Sequence, residues 1–121
     1  MAELQKRVLI VEDDVDVRTA LAAVLESEGY AVAEAAHGEE ALRILRSNHV
    51  CVVLLDIFMP IMNGCTFMDE QGRDPAIADV PVIVITADPA AARKAARRRI
   101  VDAMVKPIDH DRLLQLVAAS C

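Results

Sequence analysis

Short apolar runs recur along this sequence. Four of them end in polar side chains that could take part in a reaction or bind a metal ion. These side chains are Glu12, Asp13, Asp56, Thr86 and Lys106. If the three carboxylates met, each pair about 4 Å apart would repel by about 4 kcal/mol at an effective dielectric constant of roughly 20. Such a cluster requires a cation, and carboxylate oxygens suit Mg²⁺, which rarely has a full cage of protein ligands. The residue types therefore predict a magnesium site.

The same side chains also suit phosphoryl transfer. A carboxylate beside a divalent cation and a lysine can attack phosphorus and form an acyl phosphate. The metal and Lys106 would neutralise charge on the phosphoryl group, and the hydroxyl of Thr86 would donate to one of its oxygens. We predict that Asp56 is the nucleophile, because it follows the unbroken apolar run 50–55, which is typical of a strand buried on both faces.

The surrounding pattern indicates an α/β fold that would bring these side chains together. Strands are predicted at 7–11, 30–35, 50–56, 80–85 and 102–105, and each is followed by a helical segment. Asp14, Asp88 and Asp109 are placed to cap three of the helices, and the fourth helix is predicted from Ala90 to about Arg99. This alternation predicts a doubly wound parallel sheet with helices on both faces. The carboxyl ends of its strands would share one edge, where sites form.

Length and composition indicate one domain, residues 1–121, in a soluble cytoplasmic protein. The net charge of −6 disfavours indiscriminate binding to nucleic acid. No apolar run reaches the roughly 20 residues that span a bilayer, and the first residues lack the apolar centre of a signal peptide. We therefore expect neither membrane insertion nor direct nucleic-acid binding.

The cysteines and histidines predict no further site. Cys51, Cys65 and Cys121 are odd in number and show no CxxC spacing, so neither a disulfide nor a zinc site is expected. The three histidines are scattered without the spacing of metal ligands, and no role is assigned to them.

Four motifs, taken together, make the chain resemble a response-regulator receiver domain of two-component signalling. They are Glu12–Asp14, Asp56 followed by Met59–Gly64, Thr86–Ala87 and Lys106–Pro107. The resemblance implies a flavodoxin-like sheet of order 2-1-3-4-5 and a cis bond before Pro107. It also implies a signalling switch, not a metabolic enzyme.

The resemblance further implies roles for the site residues and partners for the chain. Asp56 would accept a phosphoryl group from a phosphohistidine of a sensor histidine kinase or a histidine phosphotransfer protein. Mg²⁺ would be held by Asp13, Asp56 and the backbone carbonyl of Phe58, with Glu12 acting through water, while Thr86 and Lys106 would hold the phosphoryl group. The face made by helix four, strand five and helix five would then engage a downstream protein, an effector domain or a second copy.

Two features depart from the family pattern or leave alternatives open. Receiver domains usually carry an aromatic residue where this chain has Ala103. The signal would then be transmitted by backbone movement of residues 86–88 or by a shift of helix four.

The basic residues of the fourth helix form either a solvated face or a docking patch for an acidic partner. They are Arg93, Lys94, Arg97, Arg98 and Arg99.

Three other functions fit the residues less well than phosphoacceptance. A constitutive binding module would be expected to lack one of the five site residues, and all are present. A mononucleotide binder needs a phosphate-binding loop after strand one, where Glu12–Asp14 would repel phosphate. A phosphohydrolase would need an acid two residues after its nucleophile, where Phe58 stands. Beside an acyl phosphate, Phe58 would instead slow attack by water.

Overall fold

Five parallel strands form one sheet in this computed structural model, which describes residues 6–57 and 63–121. The strands are β1 Arg7–Val11, β2 Ala31–Ala35, β3 Val52–Asp56, β4 Val82–Thr86 and β5 Asp102–Val105. Their order is β2-β1-β3-β4-β5, and every neighbouring pair is parallel. The predicted fold class and sheet order are confirmed.

The five helices of the described residues begin where the sequence supplies capping groups. They are α1 Val15–Ser27, α2 Gly38–Ser47, α3 Gly64–Arg73, α4 Pro89–Ala95 and α5 His110–Ser120. Asp14, Asp88 and Asp109 each accept a hydrogen bond from a backbone N–H of the following turn, as predicted. His37 has a role that its place in the sequence does not indicate: it caps α2, because its ring nitrogen accepts a hydrogen bond from the Glu40 N–H.

The core has two halves, one on each face of the sheet. On one face, α1 and α5 pack through Leu25 and Leu113 against alternate residues of β1, β3 and β4. On the other face, α2, α3 and α4 pack around Phe67, which is fully buried. All five residues of β3 and all five of β4 are buried, so these strands carry apolar side chains on both faces.

Helix α4 is shorter than the sequence predicted. It ends at Ala95 instead of continuing to about Arg99, and only Ala92 and Ala95 are buried. These small side chains bury little area, so packing does not support a further helical turn. The basic residues of α4 and the turn after it are exposed, and Arg98 forms an ion pair with Asp69 at 2.8 Å.

A disulfide joins Cys51 to Cys121, so the prediction that the chain has none is wrong. Cys51 lies just before β3 and Cys121 just after α5, and their Cα atoms are 5.1 Å apart. The two residues are separated by 70 positions, and only the packing of α5 on the sheet brings them together. Cys65 is free.

Within the described residues, the helices all fall short of the length and apolarity needed to cross a membrane.

Candidate functional site

The ends of β1 and β3 bring three acids to one edge of the sheet. Val11 pairs with Leu55 in the sheet. The residues that follow them in the chain, Glu12 and Asp56, therefore lie side by side at the carboxyl edge. One carboxylate oxygen from each of Glu12, Asp13 and Asp56 lies within 4.8 Å of the others. Glu12 and Asp56 are buried, whereas Asp13 is exposed. The acids predicted to cluster therefore do so.

Lys106 reaches this cluster from the end of β5. Its ammonium Nζ lies 3.6 Å from Glu12 Oε2 and 3.7 Å from Asp56 Oδ2. The Lys106 N–H donates to the carbonyl of Thr86 at 2.8 Å, which anchors the residue to the end of β4. The bond before Pro107 is cis, as the resemblance implied.

Thr86 ends β4 and is completely buried. Asp56 pairs with Ile85, so Thr86 lies one residue further towards the same edge. Its Oγ1 accepts a hydrogen bond from the Asp88 N–H at 3.1 Å. Asp88 in turn caps α4 by accepting from the Ala90 N–H at 2.9 Å. The Thr86 side chain is thus connected to the first turn of α4 through one residue.

Without a cation, the buried carboxyl group of Glu12 favours protonation. Burial raises the pKa of Glu12 to about 8, and a hydrogen bond with Asp56 and the negative charge of Asp56 act in the same direction. The Lys106 ammonium and the Asp14 N–H oppose this change of pKa but do not cancel it. Near neutral pH Glu12 therefore holds a proton that a divalent cation would displace.

Two further residues support the site: Arg18, which no sequence motif indicates, and Gly64, the last residue of the motif after Asp56. The guanidinium of Arg18 in α1 donates to the carbonyl of Glu12 at 2.8 Å and pairs with Glu34 at 3.1 Å, which ties the end of β1 to α1 and β2. Gly64, at the start of α3, lies against the end of β3. A Cβ at Gly64 would lie 2.8 Å from the Ile57 Cα and 3.1 Å from the Asp56 carbonyl oxygen.

The proposed carbonyl ligand Phe58 and the neighbouring Met59–Met62 lie outside the described residues. Ala103, at the position of the usual aromatic residue, is partly buried against the core half formed by α2, α3 and α4.

The donor set fits a hard divalent cation. Three carboxylates offer oxygen ligands, and Lys106 adds a fixed positive charge beside them, which is the arrangement that phosphoryl chemistry requires. Buried Thr86 adds a hydroxyl to the same edge. This acidic cluster could bind a metal ion.

Comparisons with known proteins agree with this geometry. Residues 8–118 match the response regulator receiver domain. The chain is 32% identical over 115 residues to the protein PilH of Pseudomonas aeruginosa. The aligned region covers 93% of this chain and 95% of PilH. It is 37% identical over 83 residues to the probable transcriptional regulator ycf27 of Cyanophora paradoxa, covering 69% of this chain and 34% of that protein. The chain thus spans about a third of the length of that regulator.

A solved structure supports the same assignment. The response regulator TrrA of Thermotoga maritima, in complex with Mg(2+)-BeF, superposes with a TM-score of 0.87 at 30% identity, covering 97% of this chain and 100% of TrrA. The chain belongs to the response regulator receiver domain family, whose members are phosphoacceptors in two-component signalling.

Proposed function

We propose that Asp56 accepts a phosphoryl group from a phosphohistidine of a sensor histidine kinase or a histidine phosphotransfer protein, in a reaction that depends on Mg²⁺. One observation carries this proposal. The carboxylates of Glu12, Asp13 and Asp56 lie within 4.8 Å of one another, and the Lys106 ammonium lies 3.7 Å from Asp56. A nucleophile, a cation site and a fixed positive charge are thereby adjacent.

The covalent step is a displacement at phosphorus. A carboxylate oxygen of Asp56 attacks, the phosphorus–nitrogen bond of the donor breaks, and the imidazole leaves with the electron pair and takes up a proton. Lys106 remains charged and holds the phosphoryl oxygens, while the Thr86 O–H donates to one of them. When bound, Mg²⁺ would neutralise charge on the phosphoryl group, held by Asp13, Asp56 and the Phe58 carbonyl, with Glu12 acting through water.

The similarity to TrrA supports the choice of cation, because that protein was solved in complex with Mg(2+)-BeF. The acidic donor set of this chain favours the same class of hard cation.

The signal leaves the site through α4. If the Thr86 hydroxyl turns towards a phosphoryl oxygen, it loses the hydrogen bond that it now accepts from the Asp88 N–H. Asp88 caps α4, and α4 buries only Ala92 and Ala95, so little packing resists a shift of this helix. This route needs no aromatic ring at Ala103. The face made by α4, β5 and α5 would then engage a downstream protein, an effector domain or a second copy.

We take residues 1–121 as one receiver domain acting in the cytoplasm as a switch, whose only reactions are its own phosphorylation and dephosphorylation. The exposed basic residues of α4 and the following turn favour an acidic surface on the downstream partner.

The proposal is tested by incubating the chain with a small phosphodonor and Mg²⁺ and measuring intact mass. Wild type is expected to gain one phosphoryl group, and Asp56→Asn to gain none. Asp79→Asn is the matched control, because Asp79 is an exposed aspartate outside the site and its loss should leave the gain intact. Wild type that stays unmodified would contradict phosphoacceptance and favour a constitutive binding module.

A further inference from the structure

The disulfide between Cys51 and Cys121 lies at the edge of the sheet opposite the phosphoacceptor site. Cys51 precedes the first residue of β3, whereas Asp56 is the last residue of that strand. Cys121 follows the last turn of α5, and its N–H donates a hydrogen bond to the Val117 carbonyl in that helix. The bridge therefore fastens the end of α5 to the start of the central strand.

Both sulfur-bearing residues can be reached from outside. Cys51 and Cys121 are each only partly buried, and both line a cavity of about 490 Å³ with Asn48, Pro81 and Ser120 among its other walls. A cavity of this size admits a small thiol to the bridge. A disulfide that a thiol can reach is open to exchange, whereas a bridge sealed in the core is not.

The fold also accommodates the reduced form. Cys51 Sγ lies 3.2 Å from the Arg7 carbonyl oxygen, so a thiol there has an acceptor at hydrogen-bonding distance for sulfur. Helix α5 keeps its main anchors, Leu113 and Val117, which are completely buried. Breaking the bridge would therefore release the last turn of α5 without removing the helix from the sheet.

We propose that Cys51 and Cys121 form a redox-controlled tether that fixes α5 when oxidised and loosens its end when reduced. In reduction, a thiolate of a small dithiol attacks one sulfur, the sulfur–sulfur bond breaks, and the leaving cysteine takes up a proton. The second thiol of the reagent then displaces the other cysteine. The protein gains two electrons and two protons, and the dithiol becomes a cyclic disulfide. Oxidation by glutathione disulfide reverses the change and releases two glutathione thiols.

The tether acts on α5 and not on the phosphoacceptor site, because the two lie at opposite edges of the sheet. Its two states should therefore differ in the stability of the fold and in the mobility of α5, independently of phosphorylation. Closing a chain segment of 70 residues restricts the unfolded chain strongly, so the oxidised form should melt roughly 10 °C higher.

The experiment compares the full chain after treatment with glutathione disulfide and with dithiothreitol. Peptide mapping without reduction should recover a linked Cys51–Cys121 peptide from the oxidised sample. Hydrogen exchange should accelerate more in the last turn of α5 than in α1 when the sample is reduced, because the bridge fastens the end of α5 directly. Cys121→Ser should melt like reduced wild type under both treatments, whereas Cys65→Ser, the matched control, should keep the full difference because Cys65 is free.

Two results would overturn the proposal. The first is an oxidised sample without the linked peptide, or with the melting temperature of the reduced sample. The second is a bridge that stays fully formed in excess millimolar glutathione thiol, because the pair would then be a permanent structural crosslink. Cys51→Ala gives a second variant for the melting comparison, and it should agree with Cys121→Ser.

Discussion

Divalent cation binding at the acidic cluster is expected to strengthen steeply with pH. Burial and Asp56 raise the pKa of Glu12 to about 8, so below that pH Glu12 holds a proton that the cation must displace. One released proton makes the apparent affinity rise about tenfold per pH unit. Between about pH 6 and 8 the dissociation constant for Mg²⁺ should therefore fall roughly fiftyfold, and it should level off above pH 8.

The assay is isothermal titration calorimetry of Mg²⁺ into the chain across this pH range. Repeating each titration in buffers of different ionisation enthalpy counts the protons released, and close to one is expected near pH 7. The Glu12→Gln variant lacks the titrating group, so its affinity should be nearly independent of pH and its proton release close to zero.

A dissociation constant that stays flat between pH 6 and 8 in wild type would refute this reasoning. So would a Glu12→Gln variant that keeps the full pH dependence, because the proton would then belong to another group.

Three more predictions concern the supports of the site. Gly64→Ala should destabilise the fold by about 1–3 kcal/mol in chemical denaturation, because its Cβ would meet the Ile57 backbone at 2.8 Å, whereas Gly72→Ala, with open space, should be neutral or stabilising. Without metal, the free energy of unfolding should fall as pH rises from about 4.5 to about 8, because folded Glu12 keeps a proton that the unfolded chain releases; Glu12→Gln should remove this slope. Asp88→Ala, which removes the cap of α4, should cost about 1 kcal/mol and speed hydrogen exchange in that helix; unchanged exchange would contradict the role of the Asp88 side chain as this cap.

The strands were predictable because burial on both faces leaves a strong sequence pattern. β3 and β4 consist of apolar residues up to Asp56 and Thr86, and a polar residue can follow only where the strand leaves the core. Parallel strands share a carboxyl edge, so the clustering of the acids followed from the fold.

Other features depend on contacts that no local pattern encodes. The bridge between Cys51 and Cys121 requires residues 70 positions apart to meet, and their spacing in sequence carries no signal for it. Helix α4 ends at Ala95 because residues 96–99, which would form its next turn, are all exposed, although alanine and arginine favour helix. The raised pKa of Glu12 likewise reflects its burial beside Asp56, which only the folded chain creates.

The position of the phosphoryl group is the most direct test of phosphoacceptance at Asp56. After incubation with a small phosphodonor and Mg²⁺, borohydride reduces an acyl phosphate of aspartate to homoserine, and peptide sequencing by mass spectrometry then locates the converted residue. We predict homoserine at position 56 alone, and none there in a sample prepared with a metal chelator. Conversion at Asp13 or at another carboxylate, with Asp56 intact, would contradict the proposed chemistry of this site.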